Sequence, residues 1–271
     1  MYISKVLKAI SSERVFRTAT SSALAVLTLF FVGIMLSMVA YTDWGTLTAT
    51  LGSHEIFFAM RLSVITATIA TIISFLIATP TAYAISHYHF PGKDIVDTIL
   101  DLPIVISPIA LGAALLLFFN TPIGVAIETH ITRFVFEIAG IVLAQFTVIS
   151  ALAVRLLKST FDSIDPRYEQ VARTLGCSKL MVFFRVTLPM AKNGLMAAVI
   201  LTWARAIGEF GATVTLAGAV RLKTETLPLA IFLSLATADI EKAIAVIFVL
   251  IAIAVAALIA LRKISRKRHK I

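Results

Sequence analysis

Charge is scarce in this chain. Asp, Glu, Lys and Arg make up 14% of its 271 residues, against about a quarter in an ordinary soluble domain, while 59% are hydrophobic. That balance excludes a soluble globular protein and leaves an integral membrane protein. Cysteine is almost missing: Cys177 stands alone, which rules out an internal disulfide and a cysteine metal site. No G-x4-G-K-[ST] phosphate loop occurs, because Gly92-Lys93 lacks the upstream glycine and is followed by Asp94, so the chain is not itself an ATPase. The zinc-protease pattern H-E-x-x-H and the nucleophile turn G-x-S-x-G are absent as well, which leaves little for a membrane enzyme to work with. His87 and His89 have no third ligand close in sequence, so they read as a turn and not as a metal site.

What is present is a succession of apolar runs. Met1 to Thr18, with Lys5, Lys8, Arg14 and Arg17 among apolar positions, reads as a cytoplasmic amphipathic lead-in (1–18), and the rest, 19–271, as a transmembrane domain. Six spans are expected: Ala19 to Tyr41, Ile56 to Ser86, Asp94 to Phe119, Phe134 to Leu157, Asn193 to Ala219, and a last one within Leu227 to Leu261 that begins near Ile240. The first is too long for a signal-peptide core. Tyr41 and Trp44 are placed as interfacial anchors. The second span carries Ser63, Thr66, Thr68, Thr71 and Ser74, small residues suited to close helix contact in a bundle.

The net charge of +9 points to topology before it points to nucleic acid. With both termini inside, eighteen Lys and Arg fall on the cytoplasmic side, including those of the 262–271 tail, and five fall outside or near the outer ends. Arg205 lies within the fifth span, four residues before Glu209. The two read as an internal ion pair that neutralises itself or, since Arg before Glu is the weaker order for a helical pair, as groups with a partner on another helix.

Two stretches break the pattern. In the third span Pro103 and Pro108 interrupt the helix with Ser107 between them, and freed backbone groups at membrane depth need protein or a water-filled cavity to satisfy them, which makes this bend a candidate pathway wall. A proline bend that only shapes packing is the alternative. It is the one clearly broken span, whereas a secondary transporter tends to repeat such breaks in its two halves. The second stretch, 158–192, is the chain's long polar connection. Asp165-Pro166 starts a short amphipathic helix over Tyr168 to Leu175, with Val171 and Leu175 on one face, and Gly176 stops it. Lys179 to Val186 suits a second short helix that Leu188-Pro189 ends. Two short helices at an angle make a projecting knob.

Gln170-Val-Ala172, Gly176 and, nine residues on, Val186-Thr-Leu188-Pro189 resemble the motif E-A-A-x3-G-x9-I-x-L-P of the permeases of ATP-binding cassette (ABC) importers. Gln170 and Val171 depart from it where the family usually has Glu and Ala, with Glu169 immediately before. Phe90-Pro-Gly-Lys93, Leu102-Pro103, Ser107-Pro108, Gly112, and Ala206-Ile-Gly-Glu-Phe-Gly-Ala-Thr213 with Ala217-Gly218 are similar to the molybdate/tungstate branch of the oxyanion permeases. The sulfate branch is similar but usually has Tyr after the Glu and Ser after the second Gly, so Phe210 and Ala212-Thr213 favour molybdate or tungstate. Ser107 stands where the family often has a second Pro, so a milder bend is expected there.

The resemblance implies an all-α type I importer permease in the cell membrane, with six transmembrane helices and a coupling knob. Its implied partners are a second copy of the chain, two ATPase subunits that hold ATP and Mg, an extracytoplasmic oxyanion-binding protein and membrane lipid. No nucleic acid is expected, and no cofactor on this chain. Glu169, Gln170, Ala172, Gly176, Leu188 and Pro189 would couple to the ATPase. Pro103, Ser107, Pro108, Gly208, Glu209, Phe210, Gly211, Thr213 and Thr215 would form the pathway or its gate. There Ser107, Thr213 and Thr215 offer hydroxyls, while Gly208, Gly211 and Gly218 permit close backbone approach. Glu209 is expected to pack sideways, since an ionised carboxylate in the path would repel an anion. The Ala/Ser/Thr-rich faces are expected to be buried between two copies. A stand-alone anion carrier or channel is the reading of a different class.

Overall fold

Apolar runs of 20 residues and more, with no water in the bilayer to bond their backbone, leave helices as the structure they can take. The computed structural model describes the backbone of residues 2–40, 42 and 44–266, and the side chains from 13 to 263 except 14, 41, 43, 44 and 46. The side chains of the expected anchors Tyr41 and Trp44, and most of the basic tail, lie outside this description. Two units emerge, 1–48 and 49–271. The first holds α1 (Tyr2–Ala40), in which lead-in and span form one uninterrupted helix whose stretch Val15–Ala40 is long and apolar enough to cross a membrane. The segment between the first two expected spans, read as a short exterior loop over Thr42 to Glu55, contains α2 (Trp44–Leu51).

The second unit is a helical bundle of α3 (His54–His87), α4 (Lys93–Val105), α5 (Pro108–Phe119), α6 (Pro122–His130), α7 (Ile138–Asp162), α8 (Pro166–Thr174), α9 (Lys179–Val182), α10 (Leu188–Ile207), α11 (Gly211–Leu216), α12 (Leu227–Ala236) and α13 (Ile240–Arg266). Among the described residues of the chain, five stretches qualify as membrane spans, or six if the bent pair α4–α5 counts as one. The last span begins at Ile240, as the sequence indicates.

The centre of the bundle is α3 against α7. Ala67, Ala70, Ala78 and Ala82 of α3 meet Ile149, Ala153, Val154, Leu157 and Phe161 of α7, with Ala191, Ala198, Ala206 and Ile207 of α10 closing the third side. Ser63, Thr66, Thr71 and Ser74 are buried on the same helix. Small side chains let the backbones approach closely. The stripe expected between two copies is therefore already filled within one.

Three local expectations change. The bend at Ser107 is 110°, not mild. Ile106 (φ −71°, ψ 137°) and Ser107 (φ −61°, ψ 142°) are both extended; Ser107 precedes Pro108 and so avoids the helical region, and it then caps α5 with Pro108 in its first turn. Leu188-Pro189 does not end a helix. A π turn at Phe183–Thr187 carries α9 directly into α10, its closing bond running from Leu188 N–H to Phe183 O. The wider turn absorbs a proline that would otherwise meet the carbonyl four residues back. Finally, a second break, Gly208 to Phe210, parts α10 from α11. The third span is thus not the one broken element.

Candidate functional site

The knob is built by successive caps. Asp165 Oδ1 accepts from Arg167 N–H at 2.9 Å and starts α8. Gly176 ends it in the left-handed region at φ +89°, with Gly176 N–H on Arg173 O and Cys177 N–H on Ala172 O. A Cβ at Gly176 would meet nothing within 4 Å, so the backbone angle and not crowding calls for glycine. Ser178 Oγ then accepts from Met181 N–H and starts α9. The turn aims apolar side chains outward: Leu175 is 79% exposed, Leu180 is 69% exposed, and Tyr168, Val171 and Phe184 are exposed with them.

Adjacent residues of α8 part company. Gln170 is exposed and Ala172 half-buried. Glu169 turns inward: its Oε1 accepts from Thr187 Oγ1 and lies 3.2 Å from His87 Nε2. His87 stacks on Tyr83 and places Nδ1 3.2 Å from Tyr83 O, so Glu169 ties the knob to the end of α3 and to the π turn. Of the two acidic or amide candidates, Gln170 is the one that faces out. Leu188 is half-buried and Pro189 exposed where α10 begins.

At the far end of α10 the two breaks meet. A Cβ on Gly112 of α5 would lie 2.8 Å from Ala212 Cα, and one on Gly211 would lie 3.0 Å from Ile109 N and Pro108 Cβ. Gly211 thus lies close against the Pro108 ring and the backbone of Ile109, on the other side of the first break. Gly208 has no such neighbour, its nearest being Ala204 O at 3.8 Å, so it does not serve a close approach. Gly218 sits at φ +71° under Phe136.

Glu209 is fully buried inside the second break. One carboxylate oxygen accepts from Ala212 N–H at 3.0 Å, which caps α11, and the other lies 2.7 Å from Arg205 Nη1. The second contact is a charge pair more than an aligned hydrogen bond. Of the two arrangements the sequence allows, the internal ion pair is the one found. Both oxygens of Glu209 thus face groups of its own chain, and Phe210 lies on Phe232 of α12 with ring centres 5.4 Å apart.

The three hydroxyls expected to meet an anion are placed unequally. Ser107 is exposed and its Oγ accepts from Ala110 N–H, Thr215 Oγ1 donates to Gly211 O, and Thr213 is buried with no partner for its hydroxyl. Pro103 lies in the last turn of α4, away from the Gly211 contact. One charged cluster escaped the sequence reading. Arg155 of α7 clamps Asp97 at 2.9 Å and also reaches Asp101, both on α4. Two acids four residues apart in an apolar run, with an arginine in another, were the available signal.

Residues 70–270 match the family described as the inner membrane component of binding-protein-dependent transport systems. The chain belongs to this family. The permease is 34% identical over 215 residues to a probable transport system permease protein NifC of Clostridium pasteurianum, covering 77% of this chain and 75% of that one. It is 35% identical over 248 residues to a probable molybdenum ABC transporter permease of Haloferax volcanii, covering 88% and 90%. A sulfate transport system permease protein CysW of Synechococcus elongatus is 34% identical over 181 residues, 66% of this chain and 63% of its own length. In fold, the permease superposes on a chain of a bacterial alginate ABC transporter in complex with a periplasmic protein, with a TM-score of 0.74, 16% identity and 97% and 98% coverage. The type I importer permease architecture expected from the motif is the one found.

Proposed function

We propose that this permease forms, as a dimer, the membrane pathway of an ATP-driven importer of molybdate or tungstate. The observation that carries the reading is the knob: a polar connection that exposes Val171, Leu175 and Leu180 outside the apolar spans presents a docking surface for a protein. On this reading α8 and α9 seat in a cleft of an ATPase subunit, which holds ATP and Mg, with Gln170 and Ala172 at the contact and Glu169 behind it. Closure of two ATPases on ATP moves the knobs, and the continuous helix through the π turn at Phe183–Thr187 carries that motion to the break at Gly208–Phe210. A separate binding protein delivers the anion at the opposite end. The surplus of Lys and Arg at the knob end supports a cytoplasmic position for the knob and for both termini.

The anion class is supported by the relatives, among which a molybdenum permease covers most of the chain. A sulfate importer is the second reading, favoured by the comparable identity of the sulfate relative and opposed by Phe210 and Ala212-Thr213. ATP hydrolysis in liposomes containing the permease, its ATPase and its binding protein tests both. Stimulation by binding protein loaded with molybdate or tungstate, exceeding that with sulfate, is the expected result. Gly176→Leu forces a bulky side chain to φ +89°, a strain of about 1–2 kcal/mol, and should uncouple the stimulation while leaving a folded membrane protein. A permease that does not co-purify with an ATPase would sink the reading in favour of a stand-alone carrier.

A further inference from the structure

The fifth span holds a charge, Arg205, that the pairing with Glu209 across the second break only partly uses. The Arg205 side chain is 39% exposed, although the Glu209 it closes on is fully buried. Its depth limits what can lie against the open side. Trp203, two residues earlier, donates to Thr68, fourteen residues into the 34-residue α3. Ala206, the next residue, accepts from Gln145, seven residues into the 25-residue α7. At about 1.5 Å per residue these contacts put Arg205 roughly 20 Å from the start of α3 and roughly 10 Å from the start of α7, within a hydrocarbon layer of about 30 Å. A guanidinium at that depth faces protein or a water-filled cavity, not lipid.

The chemistry of the open side is equally restricted. Arginine presents five N–H donors in a planar fork that matches an oxyanion in two-point fashion. Nη1 meets Glu209, and among the described contacts the rest of the fork has no partner on a side chain that is 39% exposed. Gly208, one turn on along the same face, is exposed and adds no side chain there. The pair is neutral as a unit, so it offers directed donors without the deep well that a lone cation would make in a low-dielectric site.

We propose that Arg205 is the residue that contacts the tetrahedral dianion midway through the pathway, and that buried Glu209 keeps that contact weak enough to release. This rests on the oxyanion reading above. Glu209 thereby gains a second role beside capping α11. With its charge removed, Arg205 holds the anion more tightly and turnover slows, so Glu209→Gln is not silent.

The test is molybdate uptake into liposomes by the assembled complex, with wild type beside the charge-balanced variant Arg205→Gln/Glu209→Gln, which leaves no buried charge unpaired. Loss of a charge-assisted contact should lower uptake by about tenfold or more. Wild-type uptake in the double variant overturns the proposal. If that variant does not assemble, Arg205→Lys decides, since it keeps the charge but not the fork: uptake lowered several-fold supports the contact, and unchanged uptake overturns it. A readout that a purely structural role would not move comes from Arg205→Cys/Glu209→Gln with Cys177→Ser. Its single thiol should react with a negatively charged methanethiosulfonate and be protected by molybdate; no reaction, or no protection, places position 205 outside the pathway. Wild-type complex that imports none of molybdate, tungstate or sulfate defeats the substrate reading itself, whereas normal wild-type import with indifferent variants defeats only the assignment of Arg205.

Discussion

Two helix breaks lie against each other in this permease, and they are made by different means. Ile106-Ser107 is a local device: Pro108 drives the residue before it out of the helical region, Ser107 caps the next helix, and no distant group is needed to hold the bend. Gly208–Phe210 contains no proline and is held by a carboxylate. Glu209 pairs in charge with Arg205 on the helix before and accepts from Ala212 N–H on the helix after, so the break is a buried electrostatic hinge. A bend set by backbone sterics tolerates the loss of a single side chain. A bend set by a buried charge pair does not, because the charge left behind has no water to turn to.

The largest effect follows from that difference. Arg205→Ala strands a fully buried carboxylate and should lower stability by about 3 kcal/mol, the lower end for a broken buried pair because the arginine is partly exposed. Adding Glu209→Gln should recover much of the loss, as thermal unfolding of the detergent-solubilised permease would show. If Arg205→Ala and Pro108→Ala melted alike, the two breaks would not differ in kind. Next come the glycines at their junction. Gly112→Val would drive a side chain into Ala212 Cα and O, each 2.8 Å from where its Cβ would stand, and should cost about 1–3 kcal/mol by forcing α5 from α11. Gly208→Ala, with ordinary φ and open space, should change stability by no more than about 0.5 kcal/mol. Equal losses at the two glycines would mean that the close approach does not hold the breaks together.

The same contrast explains what could be read from the sequence. Proline and glycine punctuation marks local structure, so the bend near Ser107, the knob from Asp165 to Gly176 and the start of the last span at Ile240 were legible. The angle of the bend was not, because a missing second proline says nothing about a serine that caps. The break at Gly208–Phe210 was hidden for a physical reason: a helix interrupted by a carboxylate that bonds backwards and forwards leaves an apolar run looking continuous. The inward turn of Glu169 was equally invisible, since His87 and Thr187 lie 82 and 18 residues away and no spacing rule joins them. The small-residue stripe of α3 declared that it packs on a helix but not whose, and it proved to pack on α7 of its own chain.

A small loss isolates what the first break owes to its cap. Ser107→Ala removes the oxygen that accepts Ala110 N–H, a long contact of 3.4 Å at an exposed helix start, so the expected loss is about 0.5–1 kcal/mol. Pro108 would still hold residue 107 extended and start α5, and the 110° bend should persist. Paired spin labels on exposed positions of α4 and α5 would measure that angle through their distance. An unchanged distance with a small drop in melting temperature fits a bend written in backbone sterics. A lengthened distance would mean that the serine, and not the proline, sets the geometry, and the first break would then depend on a side chain as the second does on Glu209.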